Sequence, residues 1–193
     1  MTELLLVRHG ESEWNRSGRF QGHADPPLTE HGREQARLLA DELAESAPAA
    51  VYTSDLRRAR ETAEAISART GAPVVALEAL REIDVGEWEG LTWAELEERD
   101  FAGLQRWQEG NHGWNDGETY EQLQERVLAA LLAIATAHPG GRAVVVTHGG
   151  TLRTVAAYAE GVSRVEHRRR YGALDNCHGI PLVVEDGNIR RID

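Results

Sequence analysis

Residues 4–15 read Leu4-Leu5-Leu6-Val7-Arg8-His9-Gly10-Glu11-Ser12-Glu13-Trp14-Asn15. Four aliphatic residues in a row predict a strand that is buried on both faces, as in a parallel sheet covered by helices. Polar groups that follow such a strand lie in the crevice where open α/β sheets bind ligands. Arg8 supplies a permanent cation suited to a phosphate or a carboxylate, and His9 supplies a nucleophile or a base. The stretch favours an anion-handling site in an α/β fold, although an ordinary strand end with a solvated histidine would look the same.

The composition limits the classes of partner. The 193 residues include 32 acidic and 21 basic ones, so the net charge is −11 with neutral histidines. Nucleic acid is not expected as a partner, because it requires a basic protein face. An anionic substrate would be repelled at long range and would need a concentrated local cluster of arginine and histidine. The single cysteine, Cys177, excludes an intramolecular disulfide and a cysteine-rich metal site.

The sequence shows no targeting pattern. Residues 1–20 lack the basic segment and the long apolar run of a signal peptide. No stretch approaches the ~18 consecutive apolar residues that a membrane span needs. We therefore expect a cytoplasmic protein with no membrane partner.

Strand and helix patterns alternate along the chain. Further strands are predicted at 49–53, 73–77, 143–147 and 181–184, and helices at 29–43, 56–69, 119–137 and 151–159. This order predicts βαβ units and hence a three-layer α/β/α sandwich with a mostly parallel central sheet. Residues 101–117 show no clear period and are interpreted as a loop or lid. We expect one domain over residues 1–193, with a small cap contributed by about 88–117.

Polar residues follow the predicted strands at three further points. His148 follows the fourth strand as His9 follows the first, and the ends of parallel strands meet at one sheet edge. Arg58 falls in the first turn of a helix, where the helix dipole disfavours a cation, so a bound anion would explain it. Glu82 comes after the third strand and is a candidate acid or base. Taken singly, Arg58 and Glu82 would be interpreted as solvated surface residues.

Five segments in this order resemble motifs of the histidine phosphatase superfamily, in its phosphoglycerate-mutase-like branch. They are residues 6–15, 21–29, 54–63, 80–90 and 146–150. The resemblance covers nearly the whole chain, and agreement of all five motifs in order is hard to obtain by chance. It implies a phosphoglycerate-mutase-like fold.

The resemblance implies a role for each motif residue. His9 attacks a phosphoryl group, Arg8, Arg58 and His148 hold the phosphate, and Glu82 gives a proton to the leaving alkoxide. Further phosphate or substrate contacts are implied at Gly10, Ser12, Asn15, Gln21, Gly22 and Gly149. Neighbouring arginines lower the pKa of His9, which suits a nucleophile, and they counter the charge of the transition state. We expect no metal and no cofactor, because no clustered ligand set is visible in the sequence.

Phosphatases and mutases of this family share the same machinery. Its mutases carry a longer insertion before the second histidine motif than residues 83–147, and they tend to follow the acid with Arg-His-Tyr-Gly, where this chain has Ile83-Asp84-Val85-Gly86. We therefore predict a metal-independent phosphomonoesterase for a small phosphorylated metabolite, such as a sugar phosphate or a phosphoglycerate. A 2,3-bisphosphoglycerate-dependent phosphoglycerate mutase is the alternative, and an inactive phosphate-binding module is a less favoured one. The family also suggests a homodimer.

The remaining histidines and tryptophans allow weaker predictions. Structural or neutral roles in loops or on exposed faces are expected for His23, His31, His112, His138 and His167, whereas His178 is a candidate to line the pocket. The basic run 167–170 is interpreted as a solvated helix face, with attraction of an anionic substrate as the alternative. Four tryptophans between 88 and 114, together with Trp14, indicate an apolar cap, although Trp88 suits the core.

Overall fold

The fold is seen in a computed structural model that describes residues 1–192. Its strands are β1 (Thr2–Arg8), β2 (Ala50–Thr53), β3 (Val74–Ala76), β4 (Arg142–Thr147), β5 (Gly179–Glu185) and β6 (Asn188–Arg191). None of the helices formed by residues 1–192 is both long and apolar enough to cross a membrane.

Eight α-helices connect or flank these strands. They are α1 (Glu13–Arg16), α2 (Glu30–Glu42), α3 (Arg57–Thr70), α4 (Trp93–Arg99), α5 (Phe101–Gln108), α6 (Tyr120–Ala137), α7 (Gly149–Glu160) and α8 (Arg164–Tyr171). Every predicted strand and helix is present, with boundaries that differ by at most two residues. The capping boxes of α4 and α6, built on Thr92 and Thr119, satisfy backbone N–H groups at both helix starts.

The six strands form one sheet in the order β3-β2-β4-β1-β5-β6. The first four strands in that order are parallel, whereas β5 and β6 are antiparallel to their neighbours. β1 and β4 lie in the centre of the sheet, and their interior residues, 4–7 and 143–146, are all apolar. The mostly parallel sheet confirms the predicted fold class.

Helices cover the two faces of the sheet in separate layers. Val144 and Val146 of β4 pack on one face in a cluster that includes residues of α2 and α3. Ala143 and Val145 point to the other face, into a larger cluster that includes residues of α6 and α7. This alternation follows from the period of two in a strand, and it makes the chain the predicted α/β/α sandwich.

The interpretation of residues 101–117 as a loop is wrong for its first half. Residues Phe101–Gln108 form α5, whose first turn is capped by the Asp100 carboxylate accepting from the Gly103 N–H. Leu104 is buried in the larger cluster and Trp107 packs against it. The helix is short and contains a glycine, so tertiary packing and its cap stabilise it more than propensity does.

Candidate active site

The two predicted histidines meet at the carboxyl edge of the sheet. Arg8 and Thr147 are paired residues of β1 and β4, so His9 and His148 follow at the same level of neighbouring strands. The His9 N–H donates to the Thr147 carbonyl at 2.9 Å, and the two imidazole centroids lie 5.0 Å apart. Both side chains are buried. The register of two strands therefore brings together residues that are 139 positions apart in the sequence.

The hydrogen bonds of His9 determine its tautomer. Its Nδ1 lies 2.7 Å from the Gly10 carbonyl oxygen, which can only accept, so Nδ1 carries the proton. Nε2 is left with its lone pair, as a nucleophile requires. Burial, followed by the charges of Arg58 and Arg8, holds the pKa of His9 well below its ordinary value of 6.5. His9 is therefore neutral at physiological pH, and its unprotonated Nε2 is available to attack.

Arg58 lies between the two histidines. Its Nε–H points to His9 Nε2 at 3.3 Å and to His148 Nδ1 at 3.2 Å, while its other nitrogens donate to the carbonyls of Gly22 and Ala24. The side chain is fully buried. Burial lowers its pKa from 12.5 to about 10, so the guanidinium stays charged at neutral pH. A buried cation with no carboxylate bonded to it is suited to a bound anion.

His148 and Arg8 each present a donor without a partner. His148 Nδ1 accepts from Arg58, so its proton is on Nε2, and that atom is buried with no hydrogen bond. Arg8 donates from one terminal nitrogen to the Leu174 carbonyl, but its Nε is also buried and unbonded. Only four buried side-chain nitrogens or oxygens within residues 1–192 lack a partner. Two of them lie beside the His9 nucleophile, where phosphate oxygens would satisfy them.

Glu82 is held in a fixed orientation by backbone donors. Its carboxylate accepts from the backbone N–H groups of Ile83, Gly150 and Thr151 at 2.9–3.0 Å. Its backbone carbonyl lies 2.9 Å from both Arg126 and the His23 ring. A Cβ on Gly150 would come within 2.6 Å of the Glu82 carboxylate, so glycine is required for this close approach. His23 thus has the structural role predicted for it.

A cavity of about 410 Å³ opens in front of these groups. Of the motif residues, Arg8, His9, Asn15, Gln21, Gly22, Arg58, Glu82 and Gly149 line it. Its volume is in the range of roughly 300–1,000 Å³ that is usual for small-molecule sites. Eight of the eleven residues predicted for the site therefore line one pocket.

Three other predicted residues lie outside the lining. His148 is fully buried beside His9. The Ser12 hydroxyl is 2.6 Å from the side-chain oxygen of Gln21, and Ser12 also caps α1, so it orients Gln21 and Asn15. A Cβ on Gly10 would collide with the Gly32 carbonyl, which explains the glycine there by packing.

Three further arginines line the pocket, of which the sequence analysis singled out only Arg168, within the basic run 167–170. Arg153 of α7 and Arg164 and Arg168 of α8 line the outer part of the cavity, with Tyr120, Trp107 and Trp114. Arg164 stacks on the Tyr120 ring at 3.0 Å from its centroid, and Arg168 lies over Trp107 at 4.6 Å. The sequence does contain a pattern that distinguishes Arg153 and Arg168 from solvated helix arginines. Neither has an acidic residue three or four positions away, although such neighbours pair with most exposed helix arginines here.

The structure corrects several predictions for the C-terminal part. The basic run is not a wholly solvated face, since His167 is buried and Arg168 lines the cavity, whereas Arg169 and Arg170 are exposed. His178 lines a separate cavity of about 170 Å³ and not the pocket of His9. Trp88 is fully buried in the core, as predicted.

Residues 1–192 contain no group of three or more histidine, cysteine, aspartate or glutamate side chains placed to hold a metal ion. The positive charge of the pocket comes instead from five lining arginines, namely Arg8, Arg58, Arg153, Arg164 and Arg168.

Comparison with known proteins decides the family. The sequence profile of the histidine phosphatase superfamily (branch 1) matches residues 4–191. The chain belongs to this superfamily. A metal-independent phosphoserine phosphatase from Arabidopsis thaliana is 42% identical over 160 residues, which cover 80% of this chain and 67% of the relative.

Other histidine phosphatase relatives differ in their names. A probable phosphoglycerate mutase from Photorhabdus laumondii is 36% identical over 179 residues, covering 92% of this chain and 82% of the relative. The structure of a mycobacterial glucosyl-3-phosphoglycerate phosphatase in complex with VO3 has a TM-score of 0.88 and 28% identity, with 98% of this chain and 96% of that chain covered. The family resemblance and the fold are thus confirmed, while the relatives' names differ in reaction and substrate.

Proposed function

We propose that this histidine phosphatase is a metal-independent phosphomonoester hydrolase that acts through a phosphohistidine on His9. The observation that carries the proposal is the hydrogen bonding of the histidine pair, from which their tautomers follow. His9 presents an unprotonated Nε2, and beside it His148 Nε2 and Arg8 Nε are buried donors without partners. A neutral nucleophile beside unpaired donors is what the attack on a phosphate ester requires, because the donors can bind the phosphate oxygens.

In the first step, His9 Nε2 forms a bond to phosphorus as the ester P–O bond breaks. The charge on the equatorial oxygens is countered by Arg8, Arg58 and the His148 Nε2–H. Glu82 gives its proton to the departing alkoxide, so the alcohol leaves neutral.

In the second step, water attacks the phosphorus of phosphohistidine. The Glu82 carboxylate takes a proton from that water, the N–P bond breaks, and inorganic phosphate leaves. His9 returns to its starting tautomer because Nδ1 stays bonded to the Gly10 carbonyl throughout. The backbone N–H groups of Gly150 and Thr151 keep the Glu82 carboxylate in place for both proton transfers.

Glu82→Gln should slow the hydrolysis of an ester more strongly the more basic its leaving group is. We expect kcat/KM for glycerol 1-phosphate to fall by about 10²- to 10⁴-fold, because an alkoxide needs the proton. The loss for p-nitrophenyl phosphate should be much smaller, since its leaving group needs little protonation. Glu78→Gln is the matched control, because Glu78 is an exposed carboxylate four residues away. Equal losses on both esters would remove Glu82 from the acid role.

Removal of divalent metal should leave activity unchanged. The proposed charge stabilisation comes from arginine and histidine, and a phosphoserine phosphatase relative is named as metal-independent. The measurement is kcat for p-nitrophenyl phosphate after EDTA treatment and gel filtration, with and without added Mg²⁺. A large loss that Mg²⁺ restores would contradict the metal-free mechanism.

One assay separates hydrolysis from mutase activity, the second candidate, which relatives named as probable phosphoglycerate mutases favour. Phosphate release from a panel of phosphomonoesters is measured beside interconversion of 3- and 2-phosphoglycerate, with and without 2,3-bisphosphoglycerate. We expect phosphate release without interconversion. Rapid interconversion with little phosphate release would replace the hydrolase by the mutase, and neither activity would favour the inactive binding module.

We further propose that residues 1–193 act as one domain and that about 88–117 form a cap on the pocket. Trp107, Gly110 and Trp114 from this segment line the cavity, which supports that role. Trp88, Leu96, Leu104 and Trp114 of this segment are buried in the larger core cluster, which anchors the cap to the rest of the domain. The homodimer and the cytoplasmic location stay predictions.

A further inference from the structure

The outer part of the pocket holds positive charge that no carboxylate neutralises. Within residues 1–192, none of Arg153, Arg164 and Arg168 forms a salt bridge, although the chain is acidic and most of its exposed arginines do. Their hydrogen bonds go mainly to neutral backbone carbonyls. Arg153 donates to Gly172, Arg164 to Gly110 and Arg168 to Gln108. Each guanidinium has five N–H donors, so most remain available.

Arg164 has a buried donor without a partner. Its Nε is one of the four buried side-chain nitrogens or oxygens without a partner in the described part of the chain. Burial lowers the pKa of Arg164 below its ordinary value, and this effect outweighs the opposite effects of Tyr120 and Glu82. The Tyr120 ring below and the Gly110 carbonyl at one terminal nitrogen hold the guanidinium in position. A fixed, buried guanidinium with a free donor binds carboxylate or phosphate with little loss of side-chain freedom.

The lining offers no free carboxylate to match a cationic substrate group. Across residues 1–192, Glu82 is the single carboxylate among the lining residues. Its oxygens already accept from Ile83, Gly150 and Thr151. An ammonium group in this cavity would therefore face three arginines without a free carboxylate of its own.

We propose that Arg164 and Arg168, with Arg153 adding charge, form a second anion subsite that selects the alcohol part of the substrate. This inference rests on the proposed function and names its substrate class. The substrate is a phosphomonoester with a second anionic group, a carboxylate or another phosphate, and without an ammonium group. The aromatic walls of Trp107, Trp114 and Tyr120 contact the carbon skeleton between the two anionic ends.

The test compares esters that differ at the far end. Glycerol 1-phosphate has no second anion, 3-phosphoglycerate has a carboxylate, phosphoserine adds an ammonium group, and fructose 1,6-bisphosphate has a second phosphate. In Arg164→Gln and Arg168→Gln, kcat/KM for the preferred substrate with two anionic groups should fall by about 10- to 100-fold. This is the effect expected from the loss of one charge-assisted hydrogen bond. The same variants should lower kcat/KM for glycerol 1-phosphate by a clearly smaller factor, because that ester has no second anion to lose a partner, and the activity that remains shows that they fold.

Arg169→Gln is the matched control, because Arg169 lies on the same helix, is exposed and does not line the cavity. This variant removes one positive charge and should leave kcat/KM for all four substrates unchanged. In the wild type, phosphoserine should be cleaved at least about tenfold less efficiently than 3-phosphoglycerate, because its ammonium group stays unpaired.

Binding to the His9→Asn variant gives a readout that does not depend on turnover. Calorimetry should show tighter binding of the substrate with two anionic groups than of glycerol 1-phosphate, and Arg164→Gln in that background should abolish the difference. Equal losses on all substrates, or no loss, would overturn the subsite. Efficient cleavage of phosphoserine would overturn the exclusion of ammonium. Absence of hydrolysis even of p-nitrophenyl phosphate would instead refute the proposed function, while the binding comparison would still decide the subsite.

Discussion

Replacing His9 by Asn should reduce kcat by on the order of 10⁴-fold or more, because the bond from Nε2 to phosphorus can no longer form. Asparagine keeps an N–H donor near the position of Nδ1, so the contact with the Gly10 carbonyl is retained in type and the strand end should stay ordered. The loss would then report the nucleophile and not the fold. Turnover of p-nitrophenyl phosphate is the measurement.

Rapid quench with a ³²P-labelled ester separates the phosphohistidine route from direct attack by water. The wild type should carry label that acid releases, whereas His9→Asn should carry none. His31→Asn is the control, since His31 is exposed on α2. Within residues 1–192, its side chain is hydrogen-bonded only to Gln35. Substantial turnover or labelling of His9→Asn would rule out His9 as the nucleophile.

Arg58→Gln should lower kcat/KM by about 10²- to 10³-fold, the usual effect of removing one donor to transition-state charge. The adjacent Arg57→Gln is a close control, because Arg57 is exposed and its bond goes to Glu61 on the same helix. A loss shared by both variants would indicate a general effect of charge on substrate attraction.

The pH profile gives a second readout of Arg58. Burial is the largest cause of the lowered pKa of His9, and the Arg58 charge is the next. Removing that charge leaves burial and Arg8, so the pKa of His9 should rise. Because only neutral His9 attacks, the acid limb of kcat/KM should move to higher pH in Arg58→Gln and stay in place in Arg57→Gln. A single ester in both variants keeps substrate ionisation constant. An unchanged acid limb would show that Arg58 does not face His9 in solution.

Local sequence predicted the fold class and the chemistry at strand ends. The apolar runs of β1 and β4 each end in one polar residue, which a histidine and a glycine follow. Because a buried parallel strand is apolar on both faces, its polar groups lie at its ends. The helix starts at Thr29 and Thr119 were likewise predictable, because an N-cap depends only on its own first turn. The motifs then suggested which acid and which second arginine belong with the histidines.

The sequence did not predict α5. Its eight residues include Gly103 and offer a short apolar pattern, so Leu104 and Trp107 became interpretable only once the core that they pack against was known. A helix of this length gains its stability from tertiary contacts, which no local window contains.

Sequence by itself determined the strands, their polar ends and thereby the residues able to attack and hold a phosphate, because these depend on periodicity over a few neighbouring positions. Only the tertiary structure decided which partners meet. The β1–β4 register sets His9 against His148, and the packing of α8 against the end of α5 turns Arg164 and Arg168 inward while Arg169 stays in solvent. Charge on a helix face looks the same in sequence whether solvent or a cavity faces it, since that depends on contacts between distant segments.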